Sequence, residues 1–72
     1  MNGHPSWNVW NVSLWISNDE GLYRFALACL GECKTLREAA RLFTREVGVA
    51  KTPDGARYSL RSVEHALKGL RD

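Results

Sequence analysis

Cysteine and proline are scarce in this sequence, with two of each, and no apolar run approaches the roughly 18 residues that cross a bilayer. A disulfide framework is therefore excluded, and no contact with a membrane is expected. Residues 1–5 lack a basic stretch, and Asn8, Asn11 and Ser13 interrupt the apolar residues behind them. This does not read as a signal peptide, so a soluble protein of the cytoplasm is the expectation. Charge of one sign is missing too. Ten basic and eight acidic side chains give +2, short of the cationic excess of a protein that coats nucleic acid. Signs of disorder are absent, because 44% hydrophobic residues with only six glycines can form a packed core. At 72 residues the chain suffices for one domain and leaves no room for a cleft between two.

Catalytic patterns are absent as well. The chain has no local Ser-His-Asp spacing, no paired-carboxylate motif, no glycine-rich phosphate loop and no clustered metal ligands. Neither an enzyme nor a cofactor is expected. His65 sits beside Glu64 and reads as a solvated or capping residue, whereas His4 lies in a terminus expected to be flexible over residues 1–5. Cys29 and Cys33 fall four apart on one helix face, a strained geometry for a disulfide and an ordinary one for two small buried hydrophobes. With His4 and His65 they have the ligand types of a zinc site. The histidines are isolated and distant in sequence, however, so no metal is expected.

What is present is helical periodicity. From Asp19 to about Glu32, the residues Leu22, Phe25, Ala26, Cys29, Leu30 and Cys33 form one apolar face. Asn18 is the expected N-cap, Asp19 and Glu20 place negative charge on the first turn, and Gly31 suits the helix end. Thr35 and Glu38 have the spacing of a capping box, followed by a stripe of Leu36, Ala39, Ala40, Phe43 and Val47 that Gly48 ends. Residues 49–58 carry turn chemistry around Pro53, Asp54 and Gly55 and are expected to form an exposed loop. Ser59 can cap a last helix lined by Leu60, Val63, Ala66, Leu67 and Leu70.

Residues 6–16 are harder to place. Trp10, Val12, Leu14 and Ile16 nearly alternate as in a strand. No second strand is evident to pair with it, and an unpaired strand leaves its backbone polar groups unsatisfied. The expectation is a helix capped by Ser6, giving an all-α single domain of about four short helices. Trp10, Leu14 and Trp15 are then read as mainly core, with neighbouring asparagines as partners for the indole N–H groups. An indole facing a binding partner, Trp7 or Trp15, is the alternative.

The residues Asn2-Gly3, Trp10-Asn11-Val12, Leu14-Trp15 and Asn18-Asp19-Glu20-Gly21-Leu22-Tyr23 resemble the opening of small proteins encoded by phages and other mobile elements. Their pattern is N-G-W-x-N-x-x-T-W-N-V-x-L-W-x-x-N-D-E-x-L-Y. The register matches without a gap over about the first third of the chain, and departs where His4 replaces a Trp and Val9 a Thr. The resemblance implies a mobile-element protein acting in a bacterial cytoplasm, and implies no enzymatic activity.

Charge placement completes the reading. Residues 1–33 carry a net charge of −2 and residues 34–72 one of +4. Arg37, Arg41 and Arg45 recur at i, i+4 and i+8, a ridge opposite the apolar stripe that Arg57, Arg61 and Lys68 can extend, with Glu64 interrupting. Guanidinium groups bind phosphate or carboxylate bidentately, so the ridge suits a nucleic-acid backbone or an acidic protein surface. A solvated face with Glu38 and Glu46 nearby is the plainer alternative. Residues 35–43 and 59–67 also resemble the two helices of a helix-turn-helix. About ten residues separate the two helices, the first running to about Val47 and the second capped by Ser59, where that motif allows about three or four. The expected function is a small non-enzymatic protein that docks on and inhibits a host protein or ribonucleoprotein complex, such as a defence complex in the manner of an anti-CRISPR protein. A small DNA-binding protein is the runner-up, and a homo-oligomer that buries its tryptophan face is a third reading.

Overall fold

A computed structural model describes residues 5–71, which form four α-helices: α1 (Pro5–Asn18), α2 (Glu20–Glu32), α3 (Leu36–Glu46) and α4 (Leu60–Arg71). The all-α single domain expected from the sequence is what forms. The expected flexibility of residues 1–5 falls mostly outside the described residues, and Pro5 opens α1, where its missing N–H costs nothing. Ser6 therefore lies inside the first turn of α1 rather than at its cap. Successive helices pack on one another, and α4 closes the ring against α1. At the centre Phe43 is fully buried, 4.9 Å from the ring of Phe25 and 5.8 Å from that of Tyr58. Burying a side chain of that size stabilises the fold by about 1.5–3 kcal/mol. Ala26, Ala39, Ala40 and Ala66 are buried around it, and their small side chains let helices approach closely.

Most local signals act as their chemistry requires. Thr35 Oγ1 accepts from the Glu38 amide at 3.1 Å while Glu38 Oε1 accepts from the Thr35 amide at 3.2 Å, so the capping box is complete. Gly48 follows α3 with a φ of 84°, a left-handed conformation that a side chain would strain. Ser59 caps α4, its hydroxyl accepting from the Ser62 amide at 3.1 Å. One boundary is corrected. Asn18 is the last residue of α1, and the cap of α2 is Asp19, whose carboxylate accepts from the Leu22 amide at 2.9 Å. Asp19 is thus the sole interruption between α1 and α2. The end of α2 falls at Glu32 as expected, with Gly31 in its last turn and Cys33 capping it in extended conformation.

The larger corrections concern α1 and the α3–α4 connection. Residues 49–58 are not simply an exposed loop. Lys51 and Arg57 form an antiparallel bridge, and Thr52, Ala56 and Tyr58 are buried. A turn through Pro53 and Asp54 closes with the Gly55 amide donating to Thr52 O at 2.8 Å, and Gly55 takes a φ of 96° to turn the chain back. In α1 the buried residues are Asn11, Val12 and Ile16. Trp10 and Leu14 were expected in the core, yet they are 57% and 37% exposed, and Trp15 is only half-buried. The helix is rotated from the expected register because a polar residue, Asn11, is drawn inward.

Candidate functional site

The rotation of α1 follows from a set of hydrogen bonds that no local pattern in the sequence displays. Asn11 Nδ2 donates to Asp54 Oδ2 at 2.9 Å, and Asn11 Oδ1 accepts from the Thr52 hydroxyl at 2.7 Å. Thr52 Oγ1 in turn accepts from the Ala56 amide at 3.0 Å. The Trp15 indole N–H donates to the same Asp54 oxygen at 2.9 Å. One turn earlier, Asn8 donates to Arg57 O at 2.9 Å and accepts from the Arg57 amide at 2.8 Å. This side of α1 is a clasp that fixes the turn to the helix. The hydrogen bonds from Asn11 and then Trp15 hold the Asp54 carboxyl below its ordinary value. The indole partner of Trp15 is thus a carboxylate of the turn, and the asparagines bind the turn rather than the indoles.

The other side of α1 has a different character. Ser6, Val9, Trp10 and Ser13 face Arg61 and His65 of α4 across a groove of about 430 Å³. None of the six lining residues is acidic, and neither Arg61 nor His65 forms an ion pair among the described residues. Glu64, the neighbour of His65, is engaged elsewhere, 3.4 Å from Arg37 of α3. The Ser13 hydroxyl is buried with no hydrogen-bond partner. Leu14, four residues beyond Trp10, is also exposed.

The residues singled out by sequence therefore divide. Arg37, Arg41 and Arg45 are all exposed on α3, with Arg37 tied across to Glu64 and Arg45 3.4 Å from its neighbour Glu46. Arg41 forms no ion pair among the described residues. Arg57 is exposed beside α1 through its backbone bonds to Asn8, Arg61 lines the groove, and Lys68 is exposed on α4. The structure thus places Arg61 with the tryptophan side of the molecule, while Glu64 lies between it and the α3 ridge. Of the two indoles offered as anchors, Trp7 is half-buried against the core and Trp15 is held by Asp54. Trp10 and His65 were not among the expected binding residues. Their signal is the spacing that puts Val9, Trp10 and Ser13 on one face of α1, but only the clasp on the other side shows which face is outward.

Cys29 takes the plain reading, whereas Cys33 is only half-buried and lies just past the end of α2. Cys29 is buried, and its thiol is pushed up to about 11, first by burial and then by Cys33 and the carboxylates of Glu32 and Glu46. Such a thiol stays protonated and inert. Among the described residues no three His, Cys, Asp or Glu side chains group as a metal site, and His4 lies outside those residues. No helix among the described residues is long and apolar enough to cross a membrane.

A family model matches residues 1–68, nearly the whole chain. The chain belongs to the DUF7249 family, a family of unknown function. The match spans both the clasp and the groove, so these features lie within the extent of the family's domain. No curated protein and no solved structure matches the chain.

Proposed function

We propose that this DUF7249 protein is a small non-enzymatic binding protein of mobile-element type that docks on a host macromolecule and inhibits it. A protein or ribonucleoprotein complex of bacterial defence, in the manner of an anti-CRISPR protein, is the sharpest form of the proposal. The resemblance of the N-terminal third to phage-encoded proteins supplies the setting. The observation that carries the docking reading is Trp10, a large side chain that is 57% exposed and has no hydrogen-bond partner among the described residues. Tryptophan and arginine are the residues most enriched where binding energy concentrates. Inhibition would come from occlusion, since a preformed helical surface loses little ordering entropy on binding.

The test is affinity capture of the intact chain in a bacterial lysate, followed by assay of the captured complex. The expected result is one stoichiometric partner whose activity falls when the purified chain is added. Absence of any stoichiometric partner overturns the proposal. The exposed row of Arg37, Arg41 and Arg45 favours a second reading, binding to duplex DNA. Against it, Ser62 and Val63 in the first turn of α4 are buried and offer nothing to a base edge. A gel shift on duplex DNA that weakens steeply with salt, and is lost on reversing the three arginine charges, would favour that second reading.

A further inference from the structure

The groove between α1 and α4 has a chemistry of its own, and what it fits is narrower than a generic docking surface. Its lining pairs an apolar wall, Val9 and the Trp10 ring, with two nitrogen bases, Arg61 and His65, and two hydroxyls, Ser6 and Ser13. Carboxylates are absent from it, and the nearest acidic neighbour in sequence, Glu64, is paired with Arg37. The volume of about 430 Å³ suits one or two side chains rather than a broad flat surface. We propose that this groove receives an extended or helical peptide segment in which an apolar side chain lies against Trp10 and a neighbouring Asp or Glu pairs with Arg61.

Charge complementarity selects that occupant. Arg61 is exposed and free of ion pairs among the described residues, so its fork of donors is available for bidentate contact with a carboxylate. Lys68 is exposed two turns further along α4 and extends the positive potential. A single-stranded nucleic acid is the poorer fit. Such strands are held by successive aromatic platforms along a continuous cationic track, and this groove has one indole and an apolar wall.

The inference rests on the docking reading but is tested apart from it. The intact chain is used to select binders from a display library of random 12-residue peptides, and the selected peptides are titrated against the wild type, Trp10→Ala, Arg61→Glu and Arg61→Lys. Both positions are exposed, and circular dichroism verifies that each of the three variants is folded. The expected outcome is enrichment of Asp or Glu beside Leu, Phe or Met, with affinity falling about tenfold for Trp10→Ala and for Arg61→Glu and less for Arg61→Lys. Selected peptides without acidic residues, or binding that ignores these substitutions, overturn the proposal. So does tighter binding of a labelled oligo-dT strand in the groove, or dimerisation that Trp10→Ala abolishes, which would make a second copy the occupant. Capture of a host partner undiminished by Trp10→Ala also overturns the groove assignment and moves the docking surface away from Trp10, while docking itself then rests on the captured partner.

Discussion

The two sides of α1 carry similar residues and do opposite work. On one side, the side-chain polar groups of Asn8, Asn11 and Trp15 all bond to the turn between α3 and α4. On the other, Trp10 and Leu14 face outward and the Ser13 hydroxyl is buried without a partner. The comparison separates two uses of the same residue types. An indole bonded to a carboxylate across the fold stabilises it, whereas an exposed indole with no such bond remains available to something else. The residues that resemble the mobile-element pattern divide along this line. Asn11, Val12, Trp15 and Asp19 are occupied by the fold, while Trp10 and Leu14 are not.

The largest effect is expected where the clasp is deepest. Asn11→Ala removes a buried side chain with its bonds to Asp54 and Thr52 and leaves the Thr52 hydroxyl without its acceptor. The expected loss is about 2–3 kcal/mol, the sum of a cavity and an unsatisfied polar group. Urea unfolding followed by circular dichroism measures it. A loss no larger than that of Trp10→Ala, expected at or below about 1 kcal/mol for a mostly exposed residue, would erase the distinction between the two sides.

This contrast also explains how much of the molecule was legible beforehand. The helices α2, α3 and α4 announce themselves because their signals are local: a stripe ending in Phe43 and Val47, a Thr35–Glu38 box, glycines where φ is positive. In α1 no such stripe exists, because Trp7, Val9, Trp10, Val12, Leu14, Trp15 and Ile16 put apolar surface on every face. Its register is decided instead by Thr52 and Asp54, about forty residues away in the chain, whose bonds reward burying Asn11 over burying Trp10. For the same reason residues 49–58 read as exposed loop when their turn residues are seen alone. Once Asn8 and Asn11 meet them, Thr52 and Ala56 are buried. The groove followed the same fate as the register, since naming Trp10 as outward requires knowing what lies inward.

A smaller effect belongs to the exposed end of the clasp. Trp15→Phe keeps an aromatic side chain but shortens it and deletes the donor to Asp54, so stability should fall by less than for Asn11→Ala. Acid should act on the same bond. The Asp54 carboxyl is lowered in the folded chain, so the stability it contributes is present above its ordinary value of 3.8 and is lost as pH falls through the lower folded value. Thermal melts of the wild type and Asp54→Asn should therefore differ at neutral pH and converge below pH 3.8. A difference that persists unchanged into acid would show that the clasp does not depend on the carboxylate charge.

The smallest effect, and the sharpest for the comparison, is expected at Ser13, on the groove side. Its hydroxyl is buried and makes no hydrogen bond, so Ser13→Ala removes a desolvated polar group and improves helix propensity at the same time. Stability should rise by a few tenths to about 1 kcal/mol, opposite in sign to every clasp substitution. A Ser13→Ala chain that lost stability would instead place that hydroxyl among the bonds holding α1 in register.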